Sequence, residues 1–390
     1  MQEPPALRIT FTDFSDFSEV TAVKRKGARL LEGIVLLALT VLMFLFPGQS
    51  SQAAQKGVTL CLDLLIPSLF PFFVLSSLFI ATGMAGTCAR LVQRPMSLLF
   101  GVGGAGTSAF ILGAVGGYPV GPRTLAQLTE RKECTRKDAR RLALFCNNCG
   151  PAFFIGAAGV GIFGSKEAGF LLLACNLLSS IFIGCFLHIF FDRNSSKANI
   201  LYRNQQAASL SSVLPDCVRS SFVSTLNVCA YVILFSVITA LADCSGLLPF
   251  LVNVLTALLP GEHTAALCRS FLIGFLEIST GTASLSEGVS SPAALPLAAF
   301  LLGWGGLSVH CQSLSFLQKA GVSVKPYLTA KLVQGVLAAL LTVWGTALFP
   351  LSLPVMAPTN SFAAPSLVGR ELLALWFLAG VYFLLTYKKR

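Results

Sequence analysis

Asn147-Asn148-Cys149-Gly150-Pro151 interrupts a long apolar stretch, and this interruption decides which fold the chain can adopt. Three further segments of the same character lie at 116–122, 277–281 and 303–310. The hydrocarbon interior of a membrane offers no partner to bare backbone N–H and C=O groups, so broken helix persists there only inside protein or beside a cavity. Breaks at matching places in two halves of one chain indicate a transport site.

The composition indicates an integral membrane protein. Of the 390 residues, 54% are hydrophobic and only 12% are charged, whereas a soluble domain carries about 25% charged residues. The formal net charge of +11 comes from Lys and Arg in a few short loops between apolar spans. This distribution orients a protein in a bilayer. We therefore expect the lipid bilayer as a partner, and we do not expect nucleic acid.

The apolar spans divide the chain into six parts. They are a cytoplasmic N-terminal tail (1–28), a transmembrane helix (29–47), a first repeat (57–192), a cytoplasmic connection (193–217), a second repeat (218–350) and a C-terminal transmembrane helix (366–387). Each repeat contains a long helix, a short segment, an interrupted hairpin, an interrupted helix and an uninterrupted helix. The equivalence rests on this order and on the glycines, which pair Gly113 with Gly274 and Gly121 with Gly281.

The basic residues predict that the two repeats lie upside down relative to each other. Lys and Arg crowd the segment 131–141 of the first repeat, while the equivalent loop at 287–292 has none. Positive charge collects on the cytoplasmic side, so these loops belong on opposite sides of the membrane. We expect an all-α inverted-repeat fold with eight full crossings, both termini in the cytoplasm, and two opposed re-entrant hairpins with tips near 116–117 and 279–281.

The candidate substrate-binding residues are those at or beside the breaks. Glycines let the backbone approach a ligand, half-helix N-termini present free N–H groups, and amides supply donors and acceptors. The set is Gly117, Tyr118, Pro119, Arg123, Asn147, Asn148, Gly150, Ser279, Thr280, Gly306, Ser308, His310 and Gln312. Close helix packing and interhelical hydrogen bonding are the alternatives for these residues, and packing is favoured for Gly113.

Among the residues in the apolar runs, Glu277 costs the most free energy to bury. A carboxylate inside a membrane usually marks an ion or proton path. It either carries a coupling proton or accepts hydrogen bonds from the opposite hairpin. No enzymatic role, cofactor or metal is expected: the sequence lacks H-E-x-x-H, G-x-S-x-G and G-x-x-x-x-G-K-[ST]. Cys146 and Cys149 form a lone C-x-x-C without a nearby His or second pair, which we interpret as incidental.

Four stretches resemble the YlbJ-type sporulation integral membrane proteins, which carry the so-called nucleoside-recognition or gate domain. They are LIPSLFPFF at 65–73, GYPVG at 117–121, FCNNCGP at 145–151 and GGLSVHCQ at 305–312. The chain departs from that pattern in two places. Cys149 stands where a Ser is expected, and Pro122-Arg123 stand where a small residue and a Lys are expected.

The resemblance implies a role in endospore formation in a Gram-positive bacterium, in the mother-cell or outer forespore membrane. It also implies transport of dipicolinate toward the forespore, other sporulation membrane proteins as partners, and a fold similar to concentrative nucleoside transporters. The residues themselves predict less: a transporter or facilitator for a small anionic metabolite, coupled to a proton, to a cation or to neither. A structural or sensory membrane protein, and a nucleoside carrier of the same architecture, are the alternatives.

Overall fold

The computed structural model describes residues 30–82, 84, 94–102, 104–130, 132, 134–191, 209–259, 261, 263–285, 293–349 and 351. These residues are mostly helical, and no strand occurs in this part of the chain. The all-helical prediction is confirmed. The predicted N-terminal tail, most of the connection at 193–217, the loop at 287–292 and the C-terminal helix at 366–387 lie outside the described residues.

A sharp bend separates the first two helices. Helix α1 spans Leu30–Leu45 and α2 spans Pro47–Leu60, and the chain turns by 101° between them. Pro47 stands at the first position of α2, where its missing N–H leaves no helical hydrogen bond unmade. Helix α2 continues through one π-helical turn, Cys61–Leu65, into α3, Ile66–Ala81. The first repeat, predicted to begin at 57, therefore begins inside a helix that starts at Pro47.

The remaining helices of the first half include a hairpin and a broken helix. A short helix, α4, occupies 94–100. Helices α5 (Gly104–Gly116) and α6 (Val120–Glu130) pack side by side and form the hairpin. Helix α7 (Arg136–Leu142) then leads into non-helical residues at 147–150, which are followed by a π-helix (Ala152–Ile162) and by the uninterrupted α8 (Lys166–Phe191).

The second half repeats this order of elements. Its helices are α9 (Leu210–Cys244), α10 (Leu247–Leu258), α11 (Thr264–Leu276), α12 (Ile278–Ala283), α13 (Ala294–Trp304), α14 (Gly306–Lys319) and α15 (Val324–Leu348). Helices α11 and α12 form the second hairpin, and α13 and α14 form a helix broken at Gly305. The second tip lies at Glu277, slightly before the predicted 279–281, because Glu277 leaves helical geometry and Ser279 already belongs to α12.

Within the part of the chain that the structure describes, four segments are long and apolar enough to cross a membrane, or five if the bent α1–α2 pair counts as one crossing. The four are Lys166–Phe190, Leu210–Cys244, Ala294–Lys319 and Val324–Leu348. The other predicted crossings are shorter, interrupted or outside the described residues. The count of eight and the cytoplasmic position of both termini stay predictions.

Glycines set the closest approach between the arms of each hairpin. In the first hairpin Gly113 and Gly121 face each other, and both lie against the carbonyl oxygen of Cys146. In the second, a Cβ added at Gly281 would overlap the Cα of Gly274. These are the glycines that the repeat pairs with one another, so equivalent residues make equivalent contacts in the two hairpins. The opposite orientation of the two halves stays a prediction.

We predict that Gly281→Ala destabilises the protein, because its new methyl group would meet backbone atoms of α11 that cannot move independently. Overpacking of this kind costs about 1–3 kcal/mol. The matched control is Gly156→Ala, since no atom lies within 4 Å of a Cβ at that position. The measurement is the thermal unfolding midpoint of purified protein in detergent. Equal midpoints for the two variants would contradict the crossing geometry.

Candidate functional site

The interrupted segments of each half meet at their glycines. A Cβ at Gly117, in the first hairpin tip, would lie 2.9 Å from the backbone nitrogen of Gly150, in the break before the π-helix. In the second half, a Cβ at Gly306 would lie 3.1 Å from the backbone nitrogen of Ile278, at the second tip. Gly117 and Gly306 both have positive φ angles, 75° and 76°, which side-chain-bearing residues rarely adopt. Each hairpin tip therefore touches the break that follows it in sequence.

Tyr118 joins the first hairpin tip to the break of the second half. Its peptide bond to Pro119 is cis. Its hydroxyl donates a hydrogen bond of 2.7 Å to the carbonyl oxygen of Leu302. Leu302 belongs to the last turn of α13, whose carbonyls have no N–H partner within the helix. A side chain from the first half thus satisfies a backbone group that the second break exposes.

At the break of the first half, the donor comes from the second half: it is Lys331, on α15. Its Nζ donates to the carbonyl oxygen of Asn147 at 2.7 Å and to Oε1 of Gln334 at 2.7 Å. In a continuous helix the Asn147 carbonyl would accept from residue 151, but Pro151 has no N–H. The Lys331 side chain is fully buried. It was absent from the sequence-based set, although a lysine in the apolar run of α15 is a signal that could have found it.

Asn147 and His310 belong to a buried network around Tyr327. The Asn147 Nδ2 donates to the hydroxyl of Tyr327 at 2.6 Å and to Oγ of Ser313 at 2.9 Å. The His310 Nδ1 lies 3.1 Å from the same tyrosine hydroxyl. Among the described residues, Oδ1 of Asn147 and Nε2 of His310 have no hydrogen-bond partner. These two predicted site residues are held together, and neither belongs to the lining of the two cavities described below.

Asn148 makes the interhelical hydrogen bonds that were the alternative for this position. Its Oδ1 accepts from Nε2 of Gln334 at 2.7 Å, and its Nδ2 donates to the carbonyl of Phe145 at 3.0 Å. Gln334 therefore bridges Lys331 and Asn148. In this conformation the Asn148 amide fixes the broken helix to α15 and lines neither of the two cavities described below.

Glu277 caps its own hairpin arm. Its carboxylate accepts from the backbone N–H of Ser279 at 3.0 Å and from the backbone N–H of Thr280 at 2.6 Å. The Thr280 hydroxyl donates to the same carboxylate at 2.7 Å. The expectation that Glu277 accepts from the opposite hairpin is wrong, because the nearest free donors are those of the α12 N-terminus beside it. The N-terminus of α12 is thereby already matched by a carboxylate.

A small cavity of about 40 Å³ lies where the breaks meet. Its lining includes seven of the residues singled out from sequence: Gly117, Tyr118, Gly150, Glu277, Ser279, Ser308 and Gln312. A space of this size holds about one water molecule and no organic ligand.

A larger cavity of about 460 Å³, which we call the vestibule, lies between α3, α6, α9 and α14. Pro119, Arg123 and Gln312 from the predicted set line it. Gln312 borders both the vestibule and the small cavity, so it stands at the boundary between them. Sequence reasoning missed the face of α9, where Asp216, Ser220, Ser224, Asn227 and Tyr231 also line the vestibule.

Arg123 is the basic residue of the vestibule lining. Its Nη1 donates to Oγ of Ser224 at 3.3 Å. Within the described part of the chain, no carboxylate oxygen lies within 4.0 Å of its guanidinium group. The group therefore retains donors for a further acceptor.

Thr280 and Gly306, like His310 and the two asparagines, line neither cavity.

The described residues contain no group of three or more His, Cys, Asp or Glu side chains that could hold a metal ion. Cys146 and Cys149 are buried free thiols.

One relative is similar along most of the chain. The sporulation integral membrane protein YlbJ of Bacillus subtilis (strain 168) is 30% identical over 333 residues, which cover 80% of this chain and 81% of the relative. The chain belongs to the YlbJ family of sporulation integral membrane proteins. Membership of the YlbJ family, together with the long apolar helices, makes this chain an integral membrane protein.

No family profile and no solved structure match the chain. The gate-domain assignment and the likeness to concentrative nucleoside transporters therefore stay predictions for this YlbJ-family member.

We predict that Tyr118→Phe destabilises the protein by about 1–3 kcal/mol, because it leaves the buried Leu302 carbonyl without a donor. The matched control is Tyr231→Phe, since no hydrogen bond of the Tyr231 hydroxyl occurs among the described residues. The thermal unfolding midpoint should fall for the first variant and stay unchanged for the second. A midpoint equal to wild type for Tyr118→Phe would show that this bond contributes nothing.

We further predict that Glu277→Ala lowers stability by about 0.5–2 kcal/mol, the usual cost of removing a helix N-cap. Glu277→Gln should lose less, because an amide oxygen still accepts one of the two N–H bonds. Thermal unfolding of the three proteins at the same pH measures the ranking. If Glu277→Gln were as unstable as Glu277→Ala, the charge and not the cap geometry would be the stabilising feature.

Proposed function

We propose that this protein is a membrane transporter or facilitator for a small anionic metabolite, and that dipicolinate is its substrate. The observation that carries the proposal is the vestibule, which ends at Gln312 where broken helices of both halves meet. Cavities at discontinuous helices are where secondary transporters bind their substrates. Membership of a sporulation family supports dipicolinate, the substrate that the sequence resemblance implies.

The vestibule has the size that such a substrate needs, and its lining contains one basic side chain, Arg123, and one carboxylate, Asp216. Ligand cavities of about 300–1,000 Å³ enclose small organic molecules, and the vestibule falls within that range at about 460 Å³. The Arg123 guanidinium can bind a carboxylate through two parallel N–H bonds. Hydroxyl and amide groups on α9, such as Ser220 and Asn227, offer further hydrogen bonds to a planar dianion.

The packing of the long helices supports the two-repeat architecture on which the proposal relies. Helix α3 packs against α9, and α8 packs against α15. Each pair joins equivalent elements: α3 and α9 are the long helices near the start of their repeats, and α8 and α15 are the uninterrupted helices at the end. Contact between equivalent elements is what a two-fold relation between two halves produces. The inverted orientation is the arrangement that we propose, with the vestibule on the cytoplasmic side beside the basic residues that follow α6.

The described conformation fits a carrier that is open on one side of its site. The vestibule accommodates a small anion, whereas the inner cavity of about 40 Å³ does not. Passage therefore requires the hairpin tips to separate from the breaks. We place this activity in a sporulation membrane, in association with other sporulation membrane proteins, and we assign no enzymatic reaction to the site.

Dipicolinate uptake into liposomes that contain the purified protein tests the proposal. Arg123→Gln should lower uptake at subsaturating substrate roughly 10- to 100-fold, because a charged hydrogen bond contributes about 1.5–3 kcal/mol. Arg123→Lys should retain more of the rate. Arg136→Gln removes the same charge from an exposed position on α7, outside the vestibule, and should leave the rate unchanged.

Uptake no faster than in protein-free liposomes would reject dipicolinate transport and favour the structural or sensory alternative. Normal uptake by Arg123→Gln would leave transport standing and reject the vestibule as its site. Competition by uridine would favour a nucleoside carrier.

A further inference from the structure

Among the described residues, the groups that contact the Lys331 amine are electron-rich and neutral. The Asn147 carbonyl and the Gln334 side-chain oxygen each lie 2.7 Å from Nζ. The ring of Tyr118 lies on a further side, with its centroid 5.6 Å from Nζ. Within the described part of the chain, no carboxylate forms an ion pair with Lys331. The side chain has no exposed surface.

This ligand set is one that a monovalent cation accepts. A carbonyl oxygen freed by an unwound helix is the group with which discontinuous transporter helices coordinate Na⁺. An amide oxygen is a second hard ligand, and the face of a tyrosine ring attracts cations electrostatically. Here the chain supplies its own cation to these groups, delivered by a side chain from the opposite half.

We propose that the Lys331 ammonium is a built-in cation that fills, at the Asn147 break, the position that a monovalent metal ion would otherwise occupy. The break consequently binds neither Na⁺ nor K⁺. The inference goes beyond the proposed function, because it concerns occupancy of the break and holds for any substrate. Its test needs no substrate.

The experiment measures thermal unfolding midpoints in choline, sodium, potassium and methylammonium chloride at equal ionic strength. Wild type should unfold at the same temperature in all four salts. Lys331→Ala should unfold roughly 5–10 °C lower in choline chloride. Methylammonium, which reproduces the end of the lysine side chain, and Na⁺ should restore part of that loss. Lys325→Ala removes an exposed lysine from the same helix and should show no such dependence on the cation.

Two outcomes would overturn the inference. One is a rise of the midpoint in Na⁺ or K⁺ that is as large in wild type as in Lys331→Ala, which would mean that the ion does not bind at the position of the ammonium. The other is a Lys331→Ala protein that responds to all four salts alike. If Lys331→Ala does not fold, Lys331→Met provides the second variant: its apolar stem fills the space, so its lowered midpoint should not respond to methylammonium.

Discussion

The structure depends on which groups donate hydrogen bonds to the backbone carbonyls where helices are interrupted inside the protein, out of reach of water. Two such carbonyls, those of Asn147 and Leu302, lie at the breaks of the two halves. Neither is satisfied locally: Lys331 reaches the first from α15, and Tyr118 reaches the second from the first hairpin tip. An unpaired buried carbonyl would cost about 1–3 kcal/mol. Each half therefore depends on the other for the stability of its break, which fixes the relative position of the repeats.

The hairpins also bury backbone, and they do so through glycine contacts and a capping carboxylate. Their arms cross at glycine pairs, Gly113 with Gly121 and Gly274 with Gly281, so backbone packs directly against backbone. The free N–H groups at the start of α12 are taken up by the carboxylate of Glu277. A helix N-terminus attracts anions while its donors are free, so this one contributes little to binding an anionic substrate. Recognition of charge then rests with Arg123 in the vestibule.

The sequence predicted the features that depend on neighbouring residues. Apolar runs interrupted by Gly and Pro predicted helices, a first tip near 116–117 and a break before Pro151. The partners of the breaks could not be predicted in this way. Lys331 lies 184 residues from Asn147, and local composition does not reveal which distant side chain meets a freed carbonyl. For the same reason Asn148 was expected in a cavity, whereas Gln334 holds it within the protein.

The two contacts that join the halves differ in how readily they can be exchanged during a transport cycle. The bond from Tyr118 to Leu302 joins neutral groups, and such bonds contribute only about 0.5–1.5 kcal/mol net. Water or a substrate oxygen can replace the tyrosine as the cavity opens. Lys331 is fully buried, and as the built-in cation proposed above its separation from the oxygen ligands costs more. Opening at the Tyr118 tip, with Lys331 still bound to the first break, therefore requires less free energy than separating the first break from α15.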